Sequence, residues 1–430
     1  MTTLKAVRGT RDLLPPETAL WNRIEATARS VFARYHFGEI RTPVFEDTGL
    51  FARGVGEETD IVSKEMYTWE DKARAQSEKS QSLTLRPENT AGVVRAYIEH
   101  KLGESGQLQK LYYIGPQFRR ERPQKGRYRQ FSQIGAEVIG PPSAGSESPL
   151  RDAEVLEMLA TLLDELGITG WTLHLNSVGS SADRARYNDV LRAALVDVAP
   201  KMCVDCQRRA VTNPLRVLDC KVPEDQPYID ALPKIADSLD EGSKTHFAQV
   251  CAALDAAGVP YTRNHRLVRG LDYYTRTTFE FTHGGLGAQN ALLGGGRYDG
   301  LSEAIGGPKA PGIGFAMGED RLVLTLLSQE SAPPQAVDAY IAPLGEALNA
   351  AALALARELR RQGLSIELGD GSFRLKKSFD AADRAARRIV ILGEDELESA
   401  ILTVKDFSTG NQTKVPRSEL AAHLAQPSGA

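Results

Sequence analysis

The sequence predicts an α+β protein: an antiparallel-sheet core interrupted by a helical insertion, then a separate small α/β domain. Three observations predict it. From Gln117 to Glu137 the chain carries five arginines and one lysine against a single glutamate before it closes on Glu137. Around that charge Tyr112, Ile114 and Phe118 share one parity, with Gln117 and Arg119 on the other. Ile134, Ala136 and Val138 likewise alternate with Phe131, Gln133 and Glu137, so the segment reads as a hairpin with one apolar and one basic, polar face. Second, from about 179 to 259 the texture turns mostly helical, with no Gly-rich or Arg-rich face. Third, beyond a Ser/Pro-rich linker at 328–335, strand and helix patterns alternate.

Taken in order, apolar spacing at Leu20, Trp21, Ile24, Val31 and Phe32 predicts a helix over 17–36. Phe37 to Asp47 reads as helix stop, strand and proline-bent exit, with Pro43 an edge or bend residue. The polar stretch 70–82 reads as a loop or wide hairpin tip. Leu83 to Gly92 gives strand, turn and helix start, with Glu88 and Thr90 near the helix N-terminus. A carboxylate there serves equally as a partner for the helix dipole or as a ligand residue. Residues 150–166 form an amphipathic helix stopped by Gly167, and Trp171 begins a strand. Thr277, Phe279 and Phe281 alternate with Thr278, Glu280 and Thr282, so another strand follows the turn at Gly270 to Tyr274. Three glycines at 294–296 offer unusual backbone angles or close approach to a ligand. Pro311 to Arg321 leads into a helix over 322–327. Arg321 then sits in its first turns, badly placed for the helix dipole, and a phosphate would repair the mismatch. In the last domain 337–343, 364–368 and 389–392 read as strands, 347–362 and 373–388 as helices, and 401–415 as a hairpin.

Composition narrows the function. A chain of 430 residues holds two to four domains, and its net charge of −4 argues against wholesale coating of nucleic acid while allowing local basic patches. No apolar run approaches the roughly 18 residues of a membrane helix. The N-terminus lacks a secretory core, and four cysteines are too few for a disulfide framework, so a reducing cytoplasm is expected. P-loop, dinucleotide, H-E-x-x-H and G-x-S-x-G signatures are all absent. What remains is Arg119, Arg127, Arg269 and Arg321 with Glu88, Glu121 and Glu137. Guanidinium groups on a sheet face suit a phosphate, and would offset charge developing as pyrophosphate leaves. Carboxylates beside them suit an amino group or a cationic ring. Cys203-x-x-Cys206, with Cys220 and Cys251, raises zinc, but a second such pair or a His-x-x-x-His is absent, so metal stays open and buried thiols are the better-supported expectation. Arg374, Lys376, Lys377, Arg384, Arg387 and Arg388 make one basic face, either solvated or in contact with nucleic acid.

Phe118-Arg-Arg-Glu-Arg-Pro and Gly314-Phe-Ala-Met-Gly-Glu-Asp-Arg321 resemble motifs two and three of class II aminoacyl-tRNA synthetases, and Ile40-Arg-Thr-Pro43 resembles motif one, part of the dimer interface in that class. Arg269-Gly-Leu-Asp-Tyr-Tyr and Gly295-Gly-Arg-Tyr-Asp resemble the two histidine-site signatures of the histidyl-tRNA synthetases, and Asn213-Pro-Leu-Arg-Val-Leu-Asp-Cys resembles their bacterial members. The resemblance spans essentially the whole chain. It implies a class II catalytic core over 1–327, with motif 1 at about 38–47, motif 2 at about 112–138 and motif 3 at about 311–324. It further implies the helical insertion at 179–259 and an anticodon-binding domain over 336–430. The implied activity joins L-histidine to tRNA(His) through histidyl-adenylate in a cytoplasmic homodimer. ATP is the co-substrate with its Mg2+, and no tightly bound protein metal is expected. By position, Arg119 would hold the α-phosphate, Glu121 the adenine edge, and Arg321 the nucleotide. Glu88, Asn89, Thr90, Arg119, Gln133, Glu137, Arg269, Tyr273 and Tyr274 would form the histidine set, with Arg269 stabilising the transition state. Gln124, Lys125 and Arg127 would meet the tRNA acceptor end. The family often has Gly where Asn89 stands. The implied rivals are a catalytically silent histidine-binding paralogue that regulates ATP phosphoribosyltransferase and a class II synthetase for another amino acid.

Overall fold

Helical spacing puts Trp21, Ile24, Ala28, Val31 and Phe32 on the buried face of α1 (Glu17–Arg34). The computed structural model describes residues 3–56, 59–72, 80–124, 126–268, 271–286, 290–329 and 336–426. Lys125 and Arg269 lie outside the described residues. The chain divides into two units, Met1–Ser331 and Ala332–Ala430.

In the first unit β1 (Gly38–Glu39) and β2 (Phe45–Asp47) flank Pro43. The Asp47 carboxylate then caps α2 (Thr48–Val55), accepting the Gly49 amide at 2.7 Å. β3 (Tyr67–Asp71) and β4 (Gln81–Leu85) pair antiparallel, and β2 joins them in a three-stranded sheet. Most of the expected tip between them lies outside the described residues. α3 (Thr90–Glu99) leads to the hairpin of β5 (Gln109–Phe118) and β6 (Gln130–Ile139). α4 (Pro149–Glu165) and β7 (Trp171–Ser177) precede four inserted helices: α5 (Ser181–Leu195), α6 (Val204–Thr212), α7 (Gln226–Asp230) and α8 (Glu241–Ala257). The chain returns through β8 (Thr262–Arg263), β9 (Thr275–His283), β10 (Ala291–Arg297), α9 (Leu301–Ala304), β11 (Gly312–Gly318) and α10 (Glu319–Gln329).

Eight strands form one sheet in the order β1-β5-β6-β11-β10-β9-β7-β8, antiparallel except at its two parallel edges. One face buries Ile134, Ala136, Val138, Phe279, Phe281 and Phe315 in a core shared with α1, α4, α8 and α10. The insertion has its own core of Tyr187, Leu191, Leu195, Cys206, Val217 and Ile229, whereas Val250, Cys251 and Leu254 of α8 belong to the main core.

Two local expectations change. Residues 312–318 form a strand before the helix starts, because Ile313, Phe315 and Met317 alternate with small residues at period two. The glycines at 294–296 are ordinary strand residues without positive φ, chosen for space: a Cβ on Gly296 would meet the Thr277 carbonyl at 2.6 Å, and one on Gly295 would overlap the Gly314 carbonyl. Among the described residues no helix is long and apolar enough to cross a membrane.

The second unit runs β12 (Val337–Pro343), α11 (Asn349–Arg361), β13 (Ile366–Leu368), α12 (Leu375–Ala385), β14 (Ala386–Leu392), α13 (Glu394–Ser399), β15 (Ile401–Asp406), β16 (Gln412–Pro416) and α14 (Arg417–Ala425). Its sheet order is β13-β12-β14-β15-β16, parallel among the first three. The basic face is narrower than expected, because α12 ends at Ala385 and the next residues are strand. Arg388 is buried, donating to Asp406 at 2.9 Å and to the Leu424 carbonyl at 3.0 Å, and Arg387 pairs with Asp338. Arg374, Lys376, Lys377 and Arg384 stay exposed.

Candidate active site

The site grows out of strand register. β5 and β6 pair with Gly115 opposite Gln133 and Leu111 opposite Glu137, and the ladder continues as the Arg119 amide donates to the Arg129 carbonyl at 2.9 Å. Opposite residues of an antiparallel pair share a face, so Gln117, Arg119, Gln133 and Glu137 lie together, away from Ile134 and Ala136. β11 places Gly314, Ala316 and Gly318 opposite Glu137, Gly135 and Gln133. Small residues there leave room above the sheet; a Cβ on Gly314 would overlap the Glu137 carboxylate.

Over this face opens a cleft of about 780 Å3, lined among others by Arg119, Glu121, Arg127, Gln133, Glu280 and Arg321. Arg119 Nε donates to the Pro87 carbonyl at 2.9 Å, and its guanidinium lies 5.3 Å from the Phe131 ring centre, which aims it across the sheet. Glu121 accepts from Arg127 at 3.2 Å and lies 3.8 Å from Arg119. Arg321, in the first turn of α10, donates to the Ala291 carbonyl at 2.6 Å. Burial, and then the charge of Arg127, depress its pKa, a strain that an anion in the cleft would relieve. The hairpin closes at a bridge between Gln124 and Arg127, with Gly126 at φ 75°, and both side chains are exposed. The N-terminal strap braces it: Arg129 donates from its amide to the Gly9 carbonyl at 2.7 Å, and Arg11 bonds Asp320 at 2.8 Å beside Arg321.

Deeper along β6 sits a second, buried group. Thr90 Oγ1 donates to Glu137 Oε1 at 2.7 Å, and the buried Tyr298 hydroxyl faces the same carboxylate. Burial above all, with the Glu88 charge adding, pushes the Glu137 carboxyl up to about 8. Glu88 accepts the amides of Thr90 at 2.8 Å and Ala91 at 3.0 Å, so it does cap α3, and burial raises its pKa against those bonds. The Tyr273 ring lies tilted 4.8 Å from that of Tyr274 and edge-on 6.0 Å from that of Tyr298. Tyr113 Oη lies buried beside this group without a hydrogen bond, and Gln133 Oε1 is likewise unpaired further along β6, on the wall of the cleft. Buried polar groups are ordinarily hydrogen-bonded, so these atoms are a candidate contact surface for a small polar ligand.

The chain matches the family profile "Histidyl-tRNA synthetase" over residues 9–322 and "Anticodon binding domain" over 338–426. It is 73% identical over 422 residues to the histidine--tRNA ligase of Koribacter versatilis (strain Ellin345), covering 98% of this chain and 96% of that one. The chain belongs to the histidyl-tRNA synthetases. The histidine--tRNA ligase of Solibacter usitatus (strain Ellin6076) is 55% identical over 98% of this chain and 99% of its own length. The crystal structure of apo S. aureus histidyl-tRNA synthetase superposes with a TM-score of 0.79 at 38% identity, covering 99% of this chain and 100% of that one. This synthetase is therefore an enzyme, a histidine–tRNA ligase on a class II core with an anticodon-binding domain. The silent regulatory paralogue is disfavoured.

The synthetase brings Glu88, Thr90, Glu137, Tyr273 and Tyr274 together, with Gln133 leading from them to the cleft that holds Arg119, Glu121 and Arg321. Asn89 turns elsewhere: its Oδ1 accepts from Thr42 at 2.6 Å, which ties α3 to the Pro43 segment. Sequence reasoning passed over Tyr113 and Tyr298. Tyr113 shares the odd parity of Gln117 and Arg119, which was a usable signal. It also passed over the role of Arg297. This residue is fully buried on the core face of β10, donating to Asp152 and to the Ser146 carbonyl at 2.5 Å each, while Asp152 also bonds His246 and Thr277. That network holds β10 from behind, and its Arg never reaches the ligand side.

Proposed function

We propose that this synthetase runs both half-reactions on the odd-numbered face of β5 and β6, nucleotide in the open cleft and histidine in the buried pocket. The carrying observation is that Gln133 and Glu137, four residues apart on one strand face, lead from the arginine-lined cleft to the buried polar group of Glu137, Thr90 and Tyr298. Glu137, Glu88, Thr90, Gln133, Tyr273 and Tyr274 orient the imidazole and amino group, with Asn89 holding α3 in place. A pocket that must hydrogen-bond both ring nitrogens rejects apolar isosteres strongly. ATP enters with its Mg2+. Glu280, on the cleft wall, offers a carboxylate oxygen of the type that ion takes. Arg119 binds the α-phosphate and the histidine carboxylate, Glu121 the adenine edge, and Arg321 the nucleotide's remaining charge. The histidine carboxylate oxygen attacks the α-phosphorus, the bond to the bridging oxygen breaks, and pyrophosphate leaves with the electron pair. Arg269, whose neighbours Leu267 and Val268 line the cleft, stabilises that transition state.

Gln124, Lys125 and Arg127 meet the acceptor end of tRNA(His), and Arg374, Lys376, Lys377 and Arg384 meet the anticodon. The enzyme works as a homodimer in the cytoplasm; its four unpaired cysteines suit a reducing compartment. ATP–pyrophosphate exchange across the twenty amino acids tests the reading: exchange with histidine alone supports it. The same assay on Arg269→Ala should show the rate falling about 100-fold or more while histidine still binds. A near-wild-type rate would remove Arg269 from the transition state.

A further inference from the structure

Three of the four cysteines converge with a buried carboxylate inside the inserted helices. Cys203 is the N-cap of α6, Cys206 lies in its first turn, Cys220 ends the following turn, and Asp225 immediately precedes α7. Their ligand atoms all lie within 4.8 Å of one another. The sulfurs of Cys203 and Cys220 are 3.9 Å apart, and Cys220 Sγ is 3.3 Å from Asp225 Oδ2. A disulfide would bring sulfurs to about 2 Å. Zinc–sulfur bonds of about 2.3 Å at tetrahedral angles put ligand sulfurs about 3.8 Å apart. The observed spacing fits the metal.

The electrostatics point the same way. Cys206 is 0%, Cys220 4% and Asp225 2% exposed. Asp225 makes no ion pair among the described residues; its oxygens accept the Cys203 amide, at 3.0 and 3.2 Å, and face the thiols of Cys203, Cys206 and Cys220. A buried carboxylate without a cation is costly unless something compensates it. Three thiols aimed at the same point supply the remaining donors, and one divalent ion would satisfy all four groups. The sequence spacing, Cys-x2-Cys-x13-Cys-x4-Asp, has the length of a zinc loop whose fourth ligand is oxygen.

We propose that Cys203, Cys206, Cys220 and Asp225 form a structural zinc site that pins the inserted helices. Four protein ligands close the coordination shell, leaving no position for a reacting water. The Cys203 amide stays on the free Asp225 oxygen and orients it. Cys203 is half-buried at a surface opening that Arg209, Lys221 and Val222 also line, which gives the ion a way in. Arg216, Asp219 and Lys221, next to Cys220, line the wall of the large cleft, so the ion fixes that wall. Cys251 is in the main core and takes no part.

The test uses the full chain and does not depend on the residue roles proposed above. Metal content as isolated should be about one zinc per chain. Chelator-treated, reduced protein titrated with Co2+ should develop thiolate-to-cobalt charge transfer and the visible bands of a tetrahedral ion. Asp225→Asn should weaken Co2+ binding at least about 10-fold, and Cys251→Ser should leave the spectrum unchanged. If Cys206→Ser does not fold, the wild-type spectrum and Asp225→Asn still decide. A Co2+ spectrum without thiolate charge transfer, or a Cys203–Cys220 disulfide in protein isolated under reducing conditions, would overturn the proposal.

Discussion

Glu137 is the residue on which the buried half of the site turns. Its carboxyl, pushed up to about 8 by burial, carries a proton in the folded enzyme where the unfolded chain, near 4.5, has lost it. The folded state therefore binds more protons between those values, and stability falls as pH rises through that window. Glu137→Gln stays neutral and escapes this loss. Relative to wild type it should gain stability from pH 5.5 to pH 8, approaching about 1.4 kcal/mol per pH unit. Urea unfolding followed by tryptophan fluorescence reads it, since Trp21, Trp69 and Trp171 all lie in the first unit. Glu319, also pushed up to about 8 by burial, is common to both proteins and cancels. A pH-independent difference would mean that Glu137 is ionised in the folded enzyme. Much of this residue's placement was legible in the sequence, because period-two alternation fixes which side chains share a face. Tyr113 and Tyr298 were less legible, since an aromatic ring fits either face of a strand and only the hydroxyl's surroundings tell. Asp225 was invisible as a cysteine partner because spacing rules for zinc sites favour Cys and His.

At the scale of elements, the hairpin and the closing α/β unit follow from local alternation and turn residues. Two boundaries did not. The glycine-rich 312–318 segment packs between β6 and β10 at the centre of the sheet, and small residues chosen for close strand approach carry little strand propensity. The stop of α12 at Ala385 was hidden by an unbroken run of charge, and the buried Arg388 is held by Asp406 from a strand folded back onto it. The consequence is testable. Lys376→Ala with Arg384→Ala should weaken tRNA(His) binding and lower the salt dependence by about one unit of slope per lost phosphate contact, while leaving ATP–pyrophosphate exchange unchanged. Arg388→Ala should instead destabilise the second unit. Equal effects on tRNA from exposed and buried cations would contradict this assignment.

At the scale of the whole molecule, the proposed homodimer places its interface at the segment around Pro43. Phe45 is 52% exposed and Trp69 40%, their ring centres 6.0 Å apart on the small sheet, with Val44 also outside. Exposed aromatics grouped in this way mark an interaction surface. The proposed homodimer uses it, so Phe45→Asp should shift the sedimentation of the enzyme from dimer toward monomer and lower activity with it. An unchanged dimer would place the interface elsewhere.

The central claim is the division of one strand face between nucleotide and histidine. The most direct test is ATP–pyrophosphate exchange measured against both substrates in Arg119→Ala and Glu137→Ala. Arg119→Ala should slow exchange about 100-fold or more and raise KM for both ATP and histidine, whereas Glu137→Ala should raise KM for histidine with KM for ATP little changed. Loss of ATP affinity in Glu137→Ala, with histidine affinity intact, would contradict the account.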